Sequence, residues 1–162
     1  MRYYLSLGSN LGNREQTLQE AVQRIGQQIG TVTRCSSFFY SEPWGFESEH
    51  PFCNLCCCVE TSMAPMDVLT ATQAIERELG RNHKSTITKN EVNRALAAEN
   101  YQLPITYHQP VYYDRPIDID IIRAFDYQQK EIVSNDPLLT IPHPLYKQRD
   151  FVLIPLREIG GE

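Results

Sequence analysis

Residues Asp114 to Arg123 read DRPIDIDIIR, and within them Ile117, Asp118, Ile119, Asp120 and Ile121 alternate strictly between apolar and acidic. Side chains on a strand repeat every second residue, so the spacing predicts a strand with Asp118 and Asp120 on one face and the isoleucines turned to a core. Two carboxylates held side by side repel each other and lose hydration, which makes little sense unless a cation or a basic group stands between them. Hard oxygen donors of this kind suit Mg2+, which is typically held by one or two carboxylates while waters and substrate phosphates complete its shell. Arg115, just upstream, offers a planar and permanently charged donor to a phosphate bound there. The plain alternative is a solvated acidic face, the commoner fate of charged residues on an exposed strand.

Those carboxylates need a scaffold, and the composition bounds it. The chain has 162 residues, which predicts one domain spanning 1–162 and burying roughly two thirds of its unfolded surface. It has no apolar run of transmembrane length and no charged-then-apolar start with a small-residue cleavage site, so neither a membrane span nor a signal peptide is read and a cytoplasmic protein is expected. A net charge of -5 argues against a nucleic-acid binder with a broad basic surface. It leaves room for a local basic cluster around a small anion such as ATP. Cys53, Cys56, Cys57 and Cys58 superficially offer a C-x-x-C metal pattern, but no second Cys or His pair at suitable spacing supports it. They read as small buried hydrophobes, with Cys56 and Cys58 on one strand face and Cys57 on the other.

From the N-terminus, Tyr3, Leu5 and Leu7 predict a strand that runs into a Gly8-Ser9-Asn10 turn. That turn has neither the P-loop nor the Rossmann pattern, so alone it is only a tight turn. A helix follows, with Leu18, Ala21, Val22, Ile25 and Ile29 at helical spacing, Asn13 and Gln16 resembling a capping box, and Gly30 at the exit. Thr31 to Tyr40 predicts a second strand and SEPWGFESEHP a loop of the kind that holds aromatics for a ligand. A third strand, Phe52 to Thr61, starts with Phe52 and Asn54 on one face, a pair able to stack on and hydrogen-bond a flat heterocycle, or simply to serve the core.

A second helix, opened by Pro65 and closed at Gly80, has a buried stripe of Val68, Thr72, Ile75 and Leu79. Gln73 and Glu76 share its flank as a polar pair or as solvated surface. Arg81, His83 and Lys84 start a long polar connection, 82–112, with a short helix read at 90–100; connections of such length are usually functional or mobile. After the aspartate strand come a hairpin tip at Phe125 to Lys130, a short return strand at 131–134, a rigid loop with Thr140, Pro142, His143 and Pro144, and an apolar final strand led by Phe151. His143 and Arg149 are the functional-looking polar residues of that segment, each equally open to a structural role.

The order β-α-β-β-α-β predicts an α+β, ferredoxin-like (split βαβ) fold: a mainly antiparallel sheet with helices on one face, an extra hairpin and a long loop insertion. Gly8-Ser9-Asn10-Leu11-Gly12, the SEPWG loop with Phe52 and Asn54, Gln73 with Glu76, R-P-I-D-I-D at 115–120, and I-P-H-P with Arg149 and Phe151 follow one another across nearly the whole chain. That succession resembles the hydroxymethyldihydropterin pyrophosphokinase family of folate biosynthesis.

The resemblance implies transfer of the terminal pyrophosphate of ATP to the hydroxymethyl group of a reduced pterin, with AMP leaving. It implies two Mg2+ ions on Asp118 and Asp120, with Arg115 near the phosphates as a further catalytic and ATP-binding group. Phe52 and Phe151 would sandwich the pterin, Asn54 would read its amide edge, and Ser41, Pro43 and Trp44 would border the pocket. Gln73, Glu76, Thr140, His143 and Arg149 match positions expected around ATP. The same resemblance implies a functional link to dihydropteroate synthase and dihydroneopterin aldolase, with no nucleic acid or membrane as partner. The sequence departs from it in two places: the 82–112 connection is longer than in the shortest members, and Leu138 stands where some members place a phosphate-binding arginine. Two rival readings are a ferredoxin-like module for single-stranded RNA, which would carry basic residues where the acidic pair stands, and a two-metal nucleotidyltransferase, which would release pyrophosphate.

Overall fold

A strand that is apolar on both faces belongs at the centre of a sheet, and β1 (Arg2–Ser9) is buried along nearly its whole length. The computed structural model, which describes residues 1–45, 47–81 and 114–162, pairs it antiparallel with β4 (Phe52–Glu60) on one side and β5 (Asp118–Phe125) on the other. Beyond β4 lie β2 (Thr31–Cys35) and, further along the same edge, β3 (Phe39–Ser41). The order β2-β4-β1-β5 places β4 between β1 and β2, the two strands joined through α1 (Arg14–Gln28). It likewise places β1 between β4 and β5, which flank α2 (Pro65–Glu78) in sequence. This is the split βαβ, ferredoxin-like arrangement the element order predicts.

One sheet face is closed by α1 and α2. Leu18, Ala21 and Ile25 of α1 and Val68 and Ile75 of α2 pack with Leu5, Leu7, Leu55, Ile117, Ile119 and Ile121 in one buried cluster. The helix start follows the capping pattern: Asn13 Oδ1 accepts the Gln16 N–H at 3.2 Å, and Gln16 Oε1 accepts from Asn13 Nδ2 at 3.1 Å.

The other face carries a second cluster of Tyr4, Cys56, Cys58, Ile122, Val152, Leu156 and Ile159. It is covered by α3 (Asp150–Glu158), which corrects two expectations: the final apolar segment is a helix and not a strand, and the helices occupy both faces and not one. Val152, Leu156 and Ile159 are spaced as one helical face, and a short apolar run of this kind is ambiguous between strand and helix by periodicity alone. A bulge at Ile122, opposite Tyr4 and Leu5, puts Ile122 into this second cluster while Ile121 stays in the first.

Smaller differences sit at the periphery. The predicted strand at 31–40 is divided, because Ser36 to Phe38 leave the ladder and the Ser36 hydroxyl takes the Cys56 N–H at 2.9 Å. The turn after β5 closes through the Asp126 N–H to the Lys130 carbonyl at 2.9 Å, but the return strand at 131–134 reduces to a single bridge between Phe125 and Glu131. A separate hairpin of β6 (Ser134–Asp136) and β7 (Leu139–Ile141) follows, so Thr140 lies on a strand and not in a loop. The 82–112 connection, with its predicted helix, His83 and Lys84, lies outside the described residues.

Candidate active site

Because α3 covers only part of the second face, the rest opens to solvent as a pocket. Its floor is Ser6 and Gly8 of β1, flanked by Phe52 and Asn54 of β4 and by Asp118 and Asp120 of β5. Ser41, Glu42 and Trp44 line it from the chain that follows β3; Arg115, Arg149, Phe151 and Val152 complete the wall. Alternation over the first residues of β5 does this: Ile119 and Ile121 enter the first cluster, so Asp118 and Asp120 emerge into the pocket on the other face.

Asp118 is gripped from two sides. One oxygen accepts from Arg81 Nη1 and the other pairs with Arg115 Nη2 at 3.0 Å. Arg81 also donates to Glu76 Oε1 at 2.7 Å, and that same oxygen takes the Ile119 N–H at 2.8 Å. Both side chains of the Glu76–Arg81 pair are only 3 % exposed. Burial works against the Arg81 charge, but the carboxylates of Asp118 and Glu76 outweigh it and hold the guanidinium more firmly protonated than usual. Glu76 is therefore a buried anchor between α2 and β5, not the solvated flank residue the sequence left open.

The aromatic walls also meet arginines. The Arg115 guanidinium lies 5.2 Å from the centre of the Phe52 ring, and that of Arg149 lies 4.4 Å from the Trp44 ring and 5.8 Å from the Phe151 ring. Asn54 is fixed by its amide donors, which reach the Phe39 carbonyl at 3.1 Å and Ser41 Oγ at 3.0 Å. Gly8 and Ser9, expected in a turn, are instead the last residues of β1, and Asn10 just beyond them ties two loops together. Asn10 accepts the Arg115 N–H at 2.8 Å and donates to Asp114 at 2.7 Å and to the His50 carbonyl at 3.2 Å, tying the chain before β5 to the chain before β4. Hydrogen bonds from Ser48 and Asn10 hold the Asp114 carboxyl below its usual range.

The structure thus gathers Ser41, Trp44, Phe52, Asn54, Arg115, Asp118, Asp120, Arg149 and Phe151 in one pocket, with Pro43 between the lining residues Glu42 and Trp44. Glu76 reaches it through Arg81. Gln73, Thr140 and His143 are not on its wall. Thr140 sits on β7, its hydroxyl 3.5 Å from the Asp136 carbonyl. His143 lies along the outer edge of β5, its N–H on the Ile122 carbonyl at 2.9 Å and its Nδ1 accepting from Leu145 at 3.2 Å. In a neutral ring this acceptor role puts the proton on Nε2.

Sequence reasoning missed Ser6, Gly8, Glu42 and Val152 on the wall and Arg81 and Asn10 as anchors. Only the first two left a signal, the run of small residues alternating with Leu5 and Leu7. Among the described residues no group of three or more His, Cys, Asp or Glu could hold a metal ion, so the candidate donor set is Asp118 and Asp120. Among them, too, no helix is long and apolar enough to cross a membrane.

Comparison with known proteins gives the class of the chain, a pyrophosphokinase. The model of a family described as 7,8-dihydro-6-hydroxymethylpterin-pyrophosphokinase matches residues 4–161. A protein of Porphyromonas gingivalis named 2-amino-4-hydroxy-6-hydroxymethyldihydropteridine pyrophosphokinase is 41% identical over 157 residues, covering 97% of this chain and 89% of that one. One of the same name from Bacillus subtilis is 34% identical, covering 96% of this chain and 76% of that one. The Folic acid synthesis protein fol1 of Pneumocystis carinii is 33% identical over 98% of this chain, which spans only 17% of that protein. The chain belongs to the 7,8-dihydro-6-hydroxymethylpterin-pyrophosphokinase family.

Proposed function

We propose that Asp118, Asp120 and Arg115 carry the pyrophosphoryl transfer that defines this family, with residues 1–162 working as one pyrophosphokinase domain. The enzyme moves pyrophosphate from ATP to the hydroxymethyl group of dihydropterin. Since both the β- and γ-phosphates are transferred, the hydroxyl oxygen bonds to the β-phosphorus, the bond from that phosphorus to the α,β-bridging oxygen breaks, and the bridging oxygen leaves with AMP. The observation that carries the residue assignment is that both carboxylates of β5 open into the same pocket as Phe52, Asn54 and Phe151.

Two carboxylates side by side, among arginines, fit Mg2+ brought in with a triphosphate. When bound, the metal supplies charge neutralisation across the phosphates and makes the attacking hydroxyl more acidic. Asp118 and Asp120 would hold two such ions, with Asp118 giving up part of its contact with Arg81 or Arg115. The guanidinium so released is a donor aimed at the same place, suited to the transferring phosphates. Phe52 and Phe151 flank the pterin ring, with Asn54 at its amide edge and Ser41, Pro43 and Trp44 at the border. Arg149 stands by its aromatic partners, where it meets the phosphates. Gln73, Glu76, Thr140 and His143 remain the proposed ATP-side residues, Glu76 acting through Arg81.

The reading extends to a cytoplasmic enzyme working beside dihydropteroate synthase and dihydroneopterin aldolase; in support, the chain matches a fraction of a larger folic acid synthesis protein. The test is Mg2+-dependent binding of a nonhydrolysable ATP analogue. Asp120→Ala is expected to lose the Mg2+-dependent part of the affinity, and an unchanged dependence would remove Asp120 from the metal site.

A further inference from the structure

Gly8 is the penultimate residue of β1, a strand flanked by β4 and β5. Within a paired strand glycine is a poor choice because it loses more backbone freedom on folding than any other residue. Its conformation does not require glycine, because its φ lies outside the left-handed region. Space is the remaining explanation. Gly8 pairs with Asn54 on one side and with Asp118 on the other, so the three form one row across β4, β1 and β5 on the pocket face. Neighbouring strands are about 4.8 Å apart, which sets the outer members of this row roughly 9–10 Å from each other. A Cβ on Gly8 would stand 3.0 Å from Asn54 Oδ1 and 3.6 Å from the Phe52 ring, over the floor of the pocket. One row further in, Ser6 lies between Cys56 and Asp120 in the same way. On this face β1 tapers from Tyr4 through Ser6 to Gly8, from a packed cluster to a bare trough between the two flanking strands.

We infer that Gly8 is a specificity-determining position of the pyrophosphokinase site: its missing side chain is the bed over which a fused two-ring heterocycle lies, amide edge at Asn54 and one-carbon hydroxyl arm at Asp118. The inference rests on the pterin reading of this pocket and adds to it the element that sets ring position and depth. A side chain at position 8 lifts or tilts the ring, so it weakens pterin binding and moves the hydroxyl away from the carboxylates, while the triphosphate side is untouched.

The test measures binding of hydroxymethylpterin and, separately, of a nonhydrolysable ATP analogue with Mg2+ to the full chain and to Gly8→Ala, with melting temperatures alongside. Pterin affinity is expected to fall at least tenfold in Gly8→Ala, with nucleotide affinity within twofold and the melting temperature within a few degrees. Alanine also crowds Asn54 Oδ1, so the comparison is repeated in an Asn54→Ala background at pterin concentrations that saturate that variant. A penalty that persists there supports the bare floor; one that vanishes shows that Gly8 only makes room for Asn54 and overturns the inference. A folded Gly8→Ala with unchanged pterin affinity overturns it as well. If the unsubstituted chain itself binds no pterin, the pterin reading fails first, an outcome distinct from either.

Discussion

Asp118 and Asp120 look equivalent in the sequence, but their surroundings separate them. Both line the pocket, and Asp118 in addition completes a buried chain with Arg81 and Glu76. Removing one partner of a buried hydrogen-bonded group costs about 1–3 kcal/mol, more for a charged one. Asp118→Ala is therefore expected to lose turnover and to melt several degrees lower than the unsubstituted chain, and Asp120→Ala to lose turnover as well; thermal melts and rate assays check this. Equal melting temperatures would mean that the Arg81 contact contributes nothing to stability. Phe151 makes a cleaner case, since it is only partly buried at the start of α3 and lines the pocket. Stacking of a flat ring on an aromatic side chain is worth about 1–3 kcal/mol by alanine substitution. Phe151→Ala should accordingly weaken pterin binding about 10- to 100-fold and leave nucleotide affinity alone, and calorimetric titration of each ligand separates the two.

At the scale of elements, what was legible depended on how many alternatives a pattern allowed. The alternation at 117–121 admitted only a strand with its carboxylates together, and β5 has that form. The apolar run after Arg149 fitted strand or helix, and packing decided for α3 because Cys56, Cys58 and Ile122 leave an apolar face that Val152 and Leu156 cover. Arg81 was invisible as an anchor because its role depends on α2 lying beside β5, a contact between residues far apart in the chain. The cysteines of β4 are as their alternation indicated, split between the two clusters. Burial pushes the Cys53 thiol up to about 11 and Cys56 to about 12, and raises Cys57 well above the ordinary thiol range. A thiol reacts as its thiolate, so these side chains are inert at neutral pH. Titration of the native protein with a thiol reagent is expected to modify Cys35 alone, the exposed one, and all five after denaturation. Rapid reaction of more than one native thiol would contradict the packing of β4.

For the whole molecule, the two sheet faces have different duties. One is filled by α1 and α2 and gives the sheet its core; the other is filled only where α3 lies, and the uncovered remainder is the site. In the proposed reading the ring-binding walls come from β4 and α3 and the carboxylates from β5, with β1 between them, so the substrates would meet across the central strand. Such an arrangement would join a flat ligand to a phosphate chain in one step. The most direct measurement is to incubate the protein with ATP, Mg2+ and hydroxymethyldihydropterin and follow the nucleotide products by chromatography. AMP formed only when pterin and Mg2+ are both present, in equal amount to the pyrophosphorylated pterin, is the predicted result. Release of ADP or of free pyrophosphate in its place, or no AMP from folded protein with intact pterin, would contradict the account.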